Sequence, residues 1–324
     1  MKRSLQLLVL AALLLPQYAA STAEVSVCSF NIQFLGSSTK RDDTGLTDLL
    51  GKYDLVVIQE VVAPPYSGTF PDGKPYVPDA EARHFFDCMK QKGFSYQLSE
   101  EDTGPGVKNH LNSSATEWWV AFYRTNKVNL ASDLPSGFLS PIRAHNPDFD
   151  RVPYAFAFRT ADNQLDFVLI SVHLEPGAGR LNKQRRKHEL ESIASWIAAH
   201  NRKEKDFIIL GDMNIENSEE LSNATPATFI SLNKKCDPTN TNVNAPKPYD
   251  HVMYVASFTE NEFDHQHGFH IENLIEAMRI PWKKISNQKY PGSPVYNHNA
   301  FRQYYSDHHP VDFKLKSLPG GDHD

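Results

Sequence analysis

Leu55-Val56-Val57-Ile58-Gln59-Glu60-Val61 is the stretch whose reading decides the fold. Its apolar residues run without a break until Gln59 and Glu60, so it reads as a central strand covered on both faces, not one with a wet side. The strand ends on an acid. A carboxylate there loses hydration, which is costly unless a metal ion or hydrogen bonds replace the lost water. Working outward from Glu60, the same arrangement recurs. Asn31 closes Val25 to Ile32 in an alternating segment, and His173 closes Phe167 to Val172. Asp212 and Asn214 follow Phe207 to Gly211, and Asp307 and His308 stand just before Val311 to Leu315. One polar residue at a strand end is explained by loop capping. A whole set of carboxylates, amides and imidazoles at strand ends points to metal and acid–base chemistry. Oxygen donors of this kind favour a hard cation, Mg²⁺ or Mn²⁺ with Ca²⁺ as a further option, over zinc.

The remaining pattern is strands with occasional helices. Trp118 to Tyr123 is a second continuous apolar run, with one of Trp118 and Trp119 expected in the core and the other free to stack on a base. Phe156 to Arg159 and Leu165 to His173 flank Ala161-Asp162-Asn163, a hairpin turn signal. Asp79 to Lys92 predicts a helix with Asp79 as N-cap and Phe85, Phe86 and Met89 on its inner side. Leu181 to His200 predicts another, with Leu190, Ile193, Ala194 and Ile197 at helical spacing. Its cluster Lys183, Arg185, Arg186 and Lys187 reads first as a solvated face and second as a nucleic-acid contact. Stretches 62–78, 101–116 and 233–249 are rich in Pro, Gly, Asn and Ser and read as loops. The strands are too apolar for a solvated face, so the expected architecture is α/β, two packed β-sheets with helices outside.

The chain has 324 residues, 40% hydrophobic and 22% charged, with a net charge of −6. That balance gives no overall attraction for nucleic acid or anionic membrane, so such a partner needs a local basic patch. Lys2 and Arg3, the apolar run Leu5 to Leu15 broken only by Gln6, and Ala19, Ala20, Ser21 and Ala23 have the layout of a signal peptide over 1–23. The run is shorter than the ~20 residues a membrane span needs. Export to the periplasm or medium is expected, with cleavage after Ala20 or Ala23 and no stable membrane insertion afterwards. Residues 24–318 are expected to form one domain and 319–324 a polar tail. The three cysteines exclude a disulfide scaffold. Cys28 reads as a buried thiol, and pairing of Cys88 with Cys236 stays open.

Ser29-Phe30-Asn31, Gln59-Glu60-Val61, Ser171-Val172-His173, Gly211-Asp212-Met213-Asn214, Tyr249-Asp250-His251 and Ser306-Asp307-His308-His309-Pro310 occur in this order across most of the chain. Each is weak alone. As an ordered set they resemble the endonuclease/exonuclease/phosphatase superfamily, which has the deoxyribonuclease I fold. The resemblance implies a four-layer sandwich of two mixed β-sheets flanked by helices, with the site where the sheets open. It implies Glu60 as principal metal ligand, with Asn31 and Asp307 at the ion or its waters. Asp212 would orient or deprotonate the attacking water, and Asn214 would position that water and the phosphate. His308, held by Asp250, and His173, backed by Glu117, would lie on the phosphate, and Arg151 occupies the place of a phosphate-binding arginine. His251 and His309 are expected to be packing or rim residues.

The substrate is less legible than the chemistry. Gln33 and Val62 stand where deoxyribonuclease I carries groove-binding arginines, and Ile215, Glu216 and Asn217 leave no place for that family's disulfide. The Pro-rich insertion Pro64 to Pro78 lies beside Glu60 and is placed to reshape the cleft. A nuclease acting on DNA or RNA is the first expectation. A phosphatase or phospholipase acting on phosphoinositides, sphingomyelin or small phosphoesters is the alternative. A non-catalytic binding protein is disfavoured, because no expected carboxylate or imidazole is missing.

Overall fold

A computed structural model describes residues 24–104, 110 and 116–318. The expected signal peptide (1–23), the expected polar tail (319–324) and most of the loop 101–116 lie outside the described residues. The first sheet runs, in spatial order, His270–Ile271, Val311–Lys316, Glu24–Leu35, Leu55–Val61, Trp118–Tyr123 and Ser95–Leu98. The second runs Phe229–Ser231, Asp250–Val255, Phe207–Asp212, Asp166–His173, Tyr154–Thr160 and Val128–Leu130, with Gly137–Phe138 also paired to Tyr154–Thr160. Each sheet has one parallel pair at its centre. Glu24–Leu35 lies beside Leu55–Val61 with Asn31 opposite Gln59, and Asp166–His173 lies beside Phe207–Asp212 with His173 opposite Asp212. Parallel neighbours end at the same edge, which is why polar residues so far apart in sequence meet.

Side-chain alternation then sorts the apolar residues into three cores. Val27, Val57, Trp119, Phe156, Leu169, Ile208, Val252 and Phe313 fill the space between the sheets. Phe30, Val56, Ile58, Phe85, Phe86 and Phe122 fill the outer face of the first sheet, under the helices Asp43–Leu50 and Ala80–Gln91. Val168, Ile170, Ile209 and Met253 pack with Leu190, Ile193 and Ile197 of the helix Arg180–His200 on the second. Two packed mixed sheets with helices outside are the expected four-layer sandwich. Asp79 caps its helix as read from sequence, accepting from the amides of Glu81 and Ala82 at 2.8 and 3.0 Å.

Several expectations change. The loop 62–78 contains a small hairpin, Gly68–Thr69 against Pro75–Tyr76. Asp250 is the first residue of a buried strand, Asp250–Val255, which is not among the strands read from the sequence. Both Trp118 and Trp119 are buried, one in each of two cores, so neither is free to stack on a base. Arg186 is fully buried instead of lying on a solvated face. Cys28, Cys88 and Cys236 are all free, and Cys28 is buried as expected. Among the described residues no helix is long and apolar enough to cross a membrane.

Candidate active site

Alternation aims Asn31, Gln59, His173, Asp212 and Asp250 into the gap between the sheets, because they share parity with Val27, Val57, Leu169, Ile208 and Val252. Below the site, Gln59 Nε2 donates across that gap to Ser171 Oγ at 3.1 Å. Glu60 is the exception, since its parity matches the outward-facing Val56 and Ile58. The register with Trp118–Tyr123 shifts between Ile58 and Val61, and Glu60 has φ 61°. That left-handed residue turns the carboxylate back into the cleft, at the backbone cost typical of functional sites. Gly211 solves another local problem. At φ 138° it passes so close to the neighbouring strand that a Cβ would stand 2.1 Å from the Val172 carbonyl oxygen.

The cleft residues form one connected network. Asn31 Nδ2 donates to Glu60 Oε1 at 2.8 Å and to Asp212 Oδ2 at 3.0 Å. Glu60 Oε2 accepts from the Phe34 amide at 3.1 Å. His173 Nδ1 is 2.8 Å from Glu117 Oε1, and its Nε2 is 3.6 Å from Asp212 Oδ2. From the other side, His308 Nδ1 is 2.8 Å from Asp250 Oδ2, and its Nε2 is 3.4 Å from the same Asp212 oxygen. Asp212 Oδ1 accepts from the Asn214 amide at 2.9 Å, while Asn214 Nδ2 donates to the Leu174 carbonyl at 3.1 Å. Ser306, which the sequence did not single out, accepts from the His308 amide and donates to the Asn31 carbonyl, tying the two motifs together. Arg41, likewise unread, holds the carbonyls of Ile32, Gln33 and Tyr305 and pairs with Glu81.

Electrostatics follow from burial and neighbours. Burial pushes Glu60 up to about 7, with His173 opposing the rise and Glu117 and Asp307 adding to it. Burial works against charge on His173, but Glu117 outweighs it and the ring is raised to about 9. Burial likewise opposes charge on His308, yet Asp250 and Asp212 hold it well above the usual histidine range. For Glu117 burial favours the neutral acid, and His173 and Arg151 together still bring it below the ordinary glutamate value. His251 and His309 behave as the packing residues expected of them. Both are lowered to about 4, chiefly by burial, and they bond to Ser231 Oγ and the Leu274 amide.

Two expected roles meet a different geometry. Arg151 is drawn back by carboxylates, with Nε 2.7 Å from Glu117 Oε1 and Nη1 2.9 Å from Asp150 Oδ2. Two of its nitrogens therefore face the carboxylate behind His173 and its own sequence neighbour. Asn31 turns its amide nitrogen to the carboxylates, and its Oδ1 accepts from the Gln33 amide at 3.0 Å. In this rotamer it organises Glu60 and Asp212 instead of offering an oxygen to an ion. Asp307 stands at the rim. Its Oδ2 is 3.7 Å from Arg302, and its Oδ1 is buried with no hydrogen-bond partner. That orphaned oxygen fits a cation. So does the close grouping of Glu60, His173 and Asp212, whose ligand atoms all lie within 4.8 Å of one another. Glu60 is common to this group and to the expected set of Glu60, Asn31 and Asp307.

Over residues 28–308 the sequence matches the model of the Endonuclease/Exonuclease/phosphatase family. The chain belongs to that family. Its members are metal-dependent phosphoric ester hydrolases, and this chain carries the family's fold. No curated protein sequence matches this one. Among solved structures, an endonuclease/exonuclease/phosphatase family protein from Bacteroides thetaiotaomicron is similar at TM-score 0.54 and 15% identity, covering 94% of this chain and 99% of its own. A mannosyl-6-phosphatase from the same organism is similar at 0.52 and 15%, covering 90% and 99%. A D. rerio TDP2 complexed with a single-strand DNA product is similar at 0.50 and 13%, covering 90% and 98%. At these identities the likeness is one of fold.

Proposed function

We propose that this family member is an exported, divalent-cation-dependent phosphodiesterase that hydrolyses nucleic acid. The chemistry rests on one observation: Asp212 Oδ2 lies 3.6 Å from His173 Nε2 and 3.4 Å from His308 Nε2, and each imidazole is backed by a carboxylate at 2.8 Å. Asp212 accepts the proton of the attacking water, which Asn214 helps to orient. Attack in line with the leaving oxygen forms the new P–O bond and builds charge on the phosphoryl oxygens, to which His173 donates a hydrogen bond, while the bond to the leaving oxygen breaks and His308 gives that oxygen its proton. Glu60, oriented by Asn31, and Asp307 would hold a Mg²⁺ or Mn²⁺ ion, which would supply further stabilisation of the developing negative charge. Arg151 acts through Glu117, keeping that carboxylate ionised behind His173.

The nucleic-acid assignment is supported by a groove of about 400 Å³ lined by Gln33, Phe34, Ser37, Lys40 and Arg302. Its floor joins the site, since the Phe34 amide bonds Glu60 and Arg302 faces Asp307. A strand whose scissile phosphate sits at Asp212 would lay its next phosphates along Lys40 and Arg302. Lys40→Ala is expected to raise KM for DNA or RNA and to reduce the dependence of log KM on log salt by about 1. The test offers the mature protein plasmid DNA, RNA, sphingomyelin, phosphoinositides and a chromogenic phosphodiester. Degradation of lipids alone, or an unchanged salt dependence in the variant, removes the assignment. A second reading has one observation in its favour. A pocket of about 370 Å³ is lined by Val62 and Ala63, which follow the strand that carries Glu60, and by Phe70, Tyr76 and Trp118, and would suit a compact or apolar leaving group in a phosphatase or phospholipase.

Export rests on the sequence of residues 1–23 alone. N-terminal sequencing of protein recovered from periplasm or medium should begin at Ser21 or Glu24. An intact Met1 on protein confined to the cytosol contradicts it.

A further inference from the structure

The helix Arg180–His200 sends two charged side chains, one turn apart, into the protein interior, and both Arg186 and Glu189 are fully buried. Arg186 Nε donates to Glu220 Oε1 at 2.8 Å, with Nη2 reaching the same oxygen. Its Nη1 donates to the carbonyls of Glu175 and Gly177, both at 2.8 Å. Glu189 Oε1 accepts from the Asp150 amide at 2.8 Å, and its Oε2 from the Glu175 amide at 3.0 Å. Glu220 Oε2 in turn accepts from the Glu216 amide at 3.1 Å.

The backbone groups so held have one thing in common. Glu175 to Gly177 continues the chain from His173, Glu216 lies two residues beyond Asn214, and Asp150 precedes Arg151. These loops have no ladder of their own, so direction must come from side chains. Asn214 Nδ2 also donates to the Leu174 carbonyl, which ties together the loops leaving the two central strands of the second sheet.

We infer that Arg186 and Glu189 are positioning residues, a clamp that fixes the loops behind His173 and Arg151 directly from one helix and the loop behind Asn214 through Glu220 of the helix Ser218–Ala224. This rests on the reading of the cleft as a phosphodiesterase. Burying the Arg186–Glu220 ion pair and the Glu189 carboxyl, which burial pushes up to about 7, is costly, and apolar residues of similar volume often serve stability as well or better. Polar groups at these positions are therefore explained by what apolar residues cannot do, which is to hold named amides and carbonyls in fixed places. A misplacement of ~1 Å at a reacting group can cost about 10²-fold in rate.

The double variant Arg186→Met/Glu220→Leu removes both members of the ion pair, so that neither charge is orphaned. Glu189→Gln keeps the shape but turns a donor toward one of the two amides, and it serves if the double variant fails to fold. With the chromogenic phosphodiester, kcat is expected to fall roughly 10²-fold with KM changed less than about threefold. Amide exchange at Glu216 in the double variant, or at whichever of the Asp150 and Glu175 amides loses its acceptor in Glu189→Gln, should quicken at least about tenfold as these bonds are lost. A purely structural role would lower the melting temperature and leave kcat of the folded fraction intact, which overturns the inference. So does unchanged amide exchange in a folded variant. Wild-type protein that cleaves no phosphoester would count against the phosphodiesterase reading, and exchange would still show whether the clamp exists.

Discussion

Replacing His308 with alanine is expected to lower kcat for a phosphodiester by about 10²–10⁴-fold, the usual loss for a group that donates or accepts a proton at the reacting centre. The ring lies between Asp250, which orients Nδ1, and Asp212, which faces Nε2. Burial opposes charge on the imidazole, and those two carboxylates nevertheless hold it well above the usual histidine range. The same variant should lose stability. A histidine raised above its unfolded value contributes fully below a pH of about 6.5 and loses that contribution as pH rises through the folded value. Alanine at this position leaves Asp212 and Asp250 facing a gap with no cation between them, so the deficit in melting temperature should be evident at pH 7. Steady-state kinetics and a thermal melt measure the two effects separately. A kcat within a few-fold of wild type would remove His308 from the chemistry.

Glu60→Gln is expected to have the second large effect, on cation response. Glu60 sits at the end of its strand with burial pushing it up to about 7. Without a cation, the folded protein therefore binds this proton more tightly than the unfolded chain does between pH about 4.5 and 7. Stability attributable to Glu60 falls as pH rises through that window, and glutamine should flatten the decline. A divalent ion reverses the situation by favouring the ionised carboxylate. In wild type, Mg²⁺ or Mn²⁺ at a hundred times its dissociation constant should stabilise the fold by about 2.7 kcal/mol. In Glu60→Gln the shift should shrink towards zero, and hydrolysis should fail with it. Melting temperature against cation concentration, measured from pH 5 to 8, tests both parts. An equal cation shift in the variant would place the ion elsewhere.

The parts of the fold legible in the sequence are those where burial writes a pattern. Leu55–Val61, Trp118–Tyr123 and Phe207–Asp212 are buried along their whole length and read as apolar runs. Asp250–Val255 is equally buried but starts Asp-His after a Pro-rich stretch, so its polar opening hid a strand. Ser95–Leu98 is a short edge strand of half-buried residues, and Leu274–Ala277, Arg279–Ile285 and His298–Tyr304 are short helices with few buried residues. Little periodicity survives at such lengths. In the cleft, the side chains that meet do so because the strands bearing them end together, and those ends were visible. Their orientations were not. The Glu60 bulge, the amide of Asn31 turned towards two carboxylates, and Arg151 drawn onto Glu117 all depend on partners distant in sequence. Arg186 shows the same limit, since within a run of basic residues on a helix nothing local separates the one that is buried against Glu220.

The central claim is that this cleft hydrolyses phosphodiesters with a divalent cation. The most direct measurement is the rate at which the purified mature protein cleaves a chromogenic phosphodiester with Mn²⁺ or Mg²⁺, before and after chelation and beside Asp212→Asn. Cleavage that stops on chelation, returns with added cation and is lost in the folded variant is the expected result. A wild-type rate no faster than buffer, or an equal rate in Asp212→Asn, would contradict it.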